Sequence, residues 1–326
     1  MAMAGLRRAG TLAAALLLSG GATDAAPPQP VAPLDGAGWE MVWADEFDGD
    51  SLDRTKWAPE VSCWGGGNAE RQCYTDRPEN IAVEGGTLLL KARKERFTGP
   101  ARPPEIAEPR NPEILQFYTS GKVRTRGLHA WRYGRIEVRA KVPPGQGTWP
   151  AVWMMPEEDL YGPWPLSGEI DILEAVNIGA KCKVCEGGKG ENRTISALHF
   201  GELAPKNRFV DHRNALPDLA LPSDDFHVYA VEWGEGLIRF LVDDRVHLTV
   251  PADQWSTGSP LARGNSAAPF DRPFYIMANL AVGGRLAEEN NAKGLAGKSF
   301  PAQFAVDWIR VYRCASDPAK GRACMR

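Results

Sequence analysis

The sequence predicts an all-β fold, an antiparallel β-sandwich of the jelly-roll kind in which one sheet supplies the core and the other curves into a concave cleft. Three observations carry this expectation. Short Val-, Ile- and aromatic-rich segments recur along the chain, with turn residues between most of them. No helical stripe runs longer than about two turns. The segment 133–141 (YGRIEVRAK) alternates strictly, with Ile136, Val138 and Ala140 on one side and Arg135, Glu137, Arg139 and Lys141 on the other. Many short strands with almost no helix favour a sandwich or barrel.

Taken in order, the chain opens with Arg7-Arg8, an apolar run from Ala9 to Leu18 and small residues up to Asp24-Ala25-Ala26. That is the layout of a secretory signal peptide over 1–26, and it is too short for a membrane span. An exported protein is therefore expected, secreted or periplasmic. Residues 27–38 are Pro/Gly-rich and read as an N-terminal linker. A single catalytic domain over 39–326 follows, ending in a short tail at 314–326. Removing 1–26 takes the formal net charge from −3 to −4. A mildly acidic chain without a basic block gives no reason to expect nucleic acid as a partner, nor does any later segment suggest membrane insertion. No heptad pattern argues for an oligomer, so a monomer is expected.

The first strand is expected at 39–47 (WEMVWADEF). A loop at 62–80 displays Trp64, Asn68, Glu70, Gln72 and Tyr74, and a strand follows at 86–92 (GTLLLKA). Residues 97–113 form a Pro-rich excursion, and a connection that long is usually functional or disordered. After the alternating strand come a turn at 143–147, a strand at 149–156 (WPAVWMMP), the acidic strand around 168–174, and a Gly/Lys/Cys-rich loop at 177–192. Further strands are expected at 194–200, 227–233, 237–242, 246–250, 274–280 and 304–313. Six cysteines in an exported chain suggest disulfides. Cys63/Cys73, Cys182/Cys185 and Cys314/Cys324 are three local pairs, although spacing alone leaves the connectivity open. The Cys182/Cys185 pair lacks the companions of a zinc site.

The chemistry centres on 168–174 (GEIDILE). Glu169, Asp171 and Glu174 alternate with Ile and Leu in a segment that reads as a buried strand, where ionised carboxylates are costly. Glu169 and Asp171 share a face by period two, whereas Glu174 falls on the other. All three can serve one site only if a β-bulge adds a residue between Asp171 and Glu174. A surface strand meeting solvent or basic partners is the bland alternative. Two carboxyls across a glycosidic bond are the equipment of a glycoside hydrolase, one attacking and the other protonating the leaving oxygen. Asp171 would couple their protons.

Aromatics add a second line. Of the eleven tryptophans, Trp39, Trp43, Trp57, Trp233 and Trp308 read as structural, while Trp149, Trp153 and Trp164 stand close enough to the acidic strand to offer platforms for sugar rings. His199 is placed to hydrogen-bond near the carboxylates or to act as a framework histidine. No Gly-x-Ser-x-Gly elbow supports a serine triad, and Gly283-Gly284 lacks the setting of a phosphate loop.

The chain resembles glycoside hydrolase family 16, in particular bacterial laminarinase-like endo-β-1,3-glucanases. The resemblance runs from about 39 to 313 and is carried by WADEF (43–47), GNAERQCYT (67–75), the 133–156 segment, WPLSGEIDILE (164–174), LHF (198–200), FHVYAVEW (226–233), NLAVGG (279–284) and VDWIRVY (306–312). It implies that Glu169 is the nucleophile, Glu174 the acid/base and Asp171 the assisting carboxylate. It further implies that Asn68, Trp149 and Trp164 line the subsites of a β-glucan substrate and that His199 lies near the cleft floor; Trp153, whose pattern suits core or cleft, is the remaining substrate-binding candidate. No cofactor is required for that chemistry, but the resemblance suggests a structural Ca²⁺, with Glu46, Gly86 and Asp307 as the nearest candidates. The expected reaction is endo-hydrolysis of β-1,3-glucan with retention. Action on another β-glycan such as mixed-linkage glucan, agarose or carrageenan, transfer to a sugar acceptor, and non-catalytic β-glucan binding are the alternatives. Arg285-Leu286-Ala287 after the Gly pair, the 97–113 excursion and the Cys182/Cys185 loop depart from the family's pattern.

Overall fold

The computed structural model describes residues 38–106, 110–291 and 293–325. The leader read at 1–26 and all but the last residue of 27–38 lie outside them. Among the described residues the strands are, in chain order, β1 (Trp39–Asp45), β2 (Ala58–Pro59), β3 (Gln72–Tyr74), β4 (Ile81–Val83), β5 (Leu88–Pro100) and β6 (Glu113–Ser120). Next come β7 (Lys122–Arg124), β8 (Gly134–Lys141), β9 (Thr148–Pro156), β10 (Glu169–Ala175), β11 (Arg193–Gly201) and β12 (Asn207–Ala215). The last are β13 (His227–Gly234), β14 (Leu237–Val242), β15 (Arg245–Pro251), β16 (Phe274–Val282) and β17 (Ala302–Cys314), with one short helix, α1 (Gly284–Glu289), before β17.

The strands build the two sheets of a jelly-roll sandwich. One sheet runs β15-β14-β13-β8-β17-β5-β6-β3, with β1 added to β17 and β4 to β5; the other runs β12-β11-β10-β9-β16-β7-β2. Every pairing is antiparallel except β3 with β6. Neighbours distant in sequence, such as β8 with β17 and β9 with β16, show the chain crossing repeatedly between sheets.

Period two decides which side chains meet between the sheets. From β9 these are Val152 and Met154, from β16 Ile276, Ala278, Leu280 and Val282, and from β11 Leu198 and Phe200; they pack against Ile136, Val138 and Ala140 of β8 and Val306 and Ile309 of β17. The opposite residues of β9, β10, β11 and β16 face the cleft. Trp39, Trp57, Trp233 and Trp308 are buried as expected, and Trp43 packs at their margin against Trp57 and Trp131.

Several expectations need correcting. The Pro-rich excursion is shorter than 97–113, because β5 continues to Pro100 and β6 starts at Glu113, pairing as a hairpin arm. Strands β6 and β12 are additions to the expected set; β6 sets its apolar residues side by side as Ile114-Leu115 and Phe117-Tyr118 and β12 is mostly polar, so neither alternates as a half-buried strand does, and pairing with a neighbour makes them strands regardless. On β8, the side opposite Ile136 is not simply a solvent face. Arg135 and Glu137 are buried there, Arg135 bonding Glu137 (2.7 Å), Glu232 (2.9 Å) and Asp244 (2.6 Å). All three cysteine pairs, Cys63–Cys73, Cys182–Cys185 and Cys314–Cys324, are disulfides, the last closing the tail onto β17. Bridged cysteines offer no thiolates, so the Cys182/Cys185 loop is not a zinc site.

Candidate active site

Strand β10 lies inside the cleft sheet, between β9 and β11. Glu169, Ile170 and Asp171 stand opposite His199, Leu198 and Ala197 of β11, and Glu174 stands opposite Ile195. Three steps along β10 therefore match two along β11, and the ladder against β9 shifts at the same place. This is the expected bulge. Its cause is visible in the packing, since Ile172 and Leu173 both turn into the core although they are adjacent. The surplus residue is absorbed there, and Glu174 returns to the cleft side with Glu169 and Asp171. Before the strand, Gly168 has φ +86°, and a Cβ on it would stand 2.9 Å from the Phe270 ring.

Glu169 and Glu174 each keep an edge open to the cleft, whereas Asp171 is buried. Trp164 donates its indole N–H to Glu169 Oε2 (2.9 Å), and Trp149 donates to Glu174 Oε1 (2.8 Å). Burial pushes Glu169 up to about 8, helped by the charge of Glu174 and opposed by Trp164, Lys122 and a hydrogen bond from Asp171. Burial also raises Glu174 to about 7, against the Trp149 bond and the Arg213 charge. Asp171 is raised well above the ordinary carboxylate range, by burial first and then by Glu169 and Glu174. It therefore keeps its proton and donates it in a hydrogen bond to Glu169. The triplet titrates as a unit and holds protons up to neutral pH.

His199 Nε2 stands 3.4 Å from Asp171 Oδ2 and 3.7 Å from Glu169 Oε1. Burial lowers its pKa, so the ring is neutral beside the carboxylates. The 3.4 Å contact lacks hydrogen-bond geometry, and Asp171 Oδ2 is buried without a partner. Glu169, Asp171 and His199 have donor atoms within 4.8 Å of one another, a spacing that a cation could bridge.

The other residues singled out in the sequence fall around this strand. Trp153, opposite Asp171 on β9, donates to Asn279 Oδ1 (2.6 Å) and carries Lys122 Nζ 5.0 Å above its ring. Asn279 donates onward to the Tyr74 hydroxyl (3.1 Å). Asn68 is exposed in the loop after the 3-10 turn Gly65–Gly67, and its carbonyl accepts from Arg285 N (2.8 Å). A Cβ on Gly284 would meet both the Trp149 ring (3.1 Å) and Asn68 O (3.3 Å), so that glycine lets the loop close onto Trp149. Trp164 stands 42% exposed beside Glu169. Asn68 and Trp149 thus gather near Glu174, while Trp164 and His199 gather near Glu169.

The structure adds three groups to the cleft that sequence reasoning had not assigned to it. Glu70 is half-buried, with a pKa raised by desolvation, and is bonded by Gln72 Nε2 (2.7 Å). Lys122 is buried against Glu60 (2.9 Å). Asn279 holds Trp153. A lone lysine in a three-residue strand gives no local signal, whereas Glu70 and Asn279 lie in segments already quoted and needed only their neighbours to gain a role.

The calcium candidates are less assembled. Glu46 gives both carboxylate oxygens to Arg310 (2.8 and 2.9 Å), and Asp307 pairs with Arg139. Gly86 offers only its carbonyl. A Ca²⁺ at these residues would rest mainly on main-chain oxygens and the second oxygen of Asp307.

A jelly-roll sandwich with three carboxylates gathered by a bulge on the floor of an aromatic cleft defines the class of glycan hydrolases. Residues 39–314 match the family model described as "Beta-porphyranase A-D, GH16 domain", and the chain belongs to glycoside hydrolase family 16. It is 39% identical over 279 residues to the β-glucanase of Rhodothermus marinus, covering 84% of this chain and 85% of that protein. It is 36% identical over 286 residues to glucan endo-1,3-β-glucosidase A1 of Niallia circulans, covering 85% of this chain but 38% of that relative's length. The X-ray structure of the laminarinase from Rhodothermus marinus superposes with a TM-score of 0.66 at 37% identity, covering 84% of this chain and 97% of that one.

Proposed function

We propose that the protein is an exported endo-β-1,3-glucanase that hydrolyses laminarin-type glucan by double displacement with retention. The observation that carries the reading is the bulge, which brings Glu169 and Glu174 to one face on either side of Asp171. In this mechanism Glu169 attacks the anomeric carbon and forms a glycosyl ester, while Glu174 protonates the departing oxygen. Glu174 then removes a proton from water, which releases the sugar with its original configuration. Asp171, holding its proton, donates to Glu169 and spreads the negative charge. The indoles of Trp164 and Trp149 fix the two working carboxylates in place. Relatives named as glucan endo-1,3-β-glucosidase and β-glucanase support glucan as the substrate.

A second reading, cleavage of a galactan such as porphyran or agarose with the same carboxylates, is favoured by the porphyranase description of the matching family model. Laminarin, mixed-linkage glucan, porphyran and agarose incubated with purified protein separate the two. Early release of short β-1,3-linked oligosaccharides from laminarin is expected, and cleavage of the galactans alone would overturn the glucan reading. The anomer formed first, read by NMR, tests retention. We further propose a structural Ca²⁺ at Glu46, Gly86 and Asp307, and export through the 1–26 segment.

A further inference from the structure

Strand β12 is the free edge of the cleft sheet, and it pairs with β11 along its length, from Arg193↔Ala215 to Gly201↔Asn207. The registers carry three rows across the sheet. Glu169 stands opposite His199, which stands opposite Phe209; Asp171 is followed by Ala197 and Asp211; Glu174 is followed by Ile195 and Arg213. The inner face of β12 is fixed by Val210, which packs on the core, and by His212, whose ring lies 5.6 Å from that of His247 on β15. Phe209, Asp211 and Arg213 therefore take the cleft face, in line with the three carboxylates.

Their chemistry is unsatisfied. Phe209 is 58% exposed, its ring 5.7 Å from His199, whose ring is 6.0 Å from Trp164. The three rings form a row running from the carboxylates to the sheet edge. Neither Asp211 nor Arg213 makes a side-chain hydrogen bond or ion pair among the described residues, though both act on the charge of Glu174 in opposite senses. An exposed flat apolar ring beside an unpaired acceptor and an unpaired fork of donors suits a pyranose, which has an apolar face and a rim of hydroxyls.

We propose that β12 is a remote sugar-binding subsite, two strand spacings or about 10 Å from the carboxylates. Phe209 stacks on a pyranose face, and Asp211 and Arg213 bond its hydroxyls. The inference rests on the cleft being a glycan site. A contact so far from the bond being cleaved binds ground and transition states alike, so it lowers KM and leaves kcat alone. It favours chains long enough to reach β12 over short oligosaccharides.

The full chain carrying Glu169→Gln, run in gels cast with laminarin or porphyran, reports binding without turnover. Phe209→Ala in that background is expected to weaken retardation by about tenfold, and Phe209→Trp to preserve it. In the active chain Phe209→Ala should raise KM for the polymer by a similar factor with kcat within about twofold. Unchanged retardation and KM overturn the subsite, as does a fall in kcat at constant KM, which would mean that Phe209 acts through His199. If the active chain cleaves none of the polysaccharides but its Glu169→Gln form is retarded and Phe209→Ala abolishes this, the proposed reaction falls and the subsite stands. Retardation by neither polymer overturns the subsite.

Discussion

Two sets of buried charged residues, one on each sheet, show how the same residue types become framework or machinery. In the outer sheet, Arg135 of β8 sits between Glu137 and Glu232, and Arg310 of β17 holds both oxygens of Glu46. Each of these three carboxylates has a guanidinium within reach, and Glu137 and Glu232 raise the Arg135 pKa against its burial. In the cleft sheet, Glu169, Asp171 and Glu174 meet indole N–H groups, a neutral histidine and one another. No cation forms an ion pair with any of the three among the described residues, apart from the lysine and arginine whose charges act from further off. Burial with a partner fixes a charge; burial without one leaves protons ready to move.

The sharpest break of this comparison is a neutral isostere in each place. Glu174→Gln and Glu169→Gln should each lower kcat by about a thousandfold or more, given what acid–base and nucleophilic groups contribute. Both variants should remain folded by circular dichroism, because each removes a charge that folding had to desolvate. Activity within about tenfold of wild type in either would exclude the assigned role.

Arg135→Met should do the reverse. Leaving Glu137 and Glu232 buried without their cation is expected to cost about 3–5 kcal/mol of stability in urea unfolding, with kcat per folded molecule unchanged. A stability loss below about 1 kcal/mol would place this network among surface ion pairs.

The two sets should also separate with pH. In the cleft, Glu169 and Glu174 bind protons in the folded state up to about 8 and about 7, against an ordinary value of 4.5 for the unfolded chain. The folded state thus holds more protons than the unfolded between about 4.5 and 8, so this contribution to stability is fully present below that window and is lost as pH rises through it. The Tm of Glu169→Gln should therefore rise above that of wild type at pH 8, and the difference should vanish near pH 4.5; an equal difference at both values would contradict the raised pKa. Activity should fall as pH rises through about 7, when Glu174 no longer carries the proton for the leaving oxygen.

Calcium gives the smallest expected effect. Chelation should lower Tm by a few degrees and added Ca²⁺ restore it, as for a ligand held only by the native state. A Tm indifferent to both would remove calcium from the account and leave Glu46 and Asp307 as ion-pair partners of Arg310 and Arg139.

Much of the fold was legible in local pattern. The alternation of β8, the apolar runs of β9 and β16, and the misfit of Glu174 with a flat strand all follow from side chains a few residues apart. The misfit was the most informative, since three carboxylates spaced two and three apart can share one face only through a bulge, and the register shift lies between Asp171 and Glu174. The disulfides joined the cysteines nearest in sequence, as short loops favour.

The sequence by itself therefore determined the all-β class, most of its longer strands and the carboxylates that one strand must gather. Tertiary structure alone decided which charges have partners. Arg135 and Glu169 look equally exposed to chance in a linear chain, and only the register of β13 against β8, or of β11 against β10, says what stands beside each. It also made β12 a strand and brought Phe209 into line with Glu169. The physical reason is that cross-strand neighbours are set by pairing between distant segments, and a shift of one residue would send every side chain to the other face.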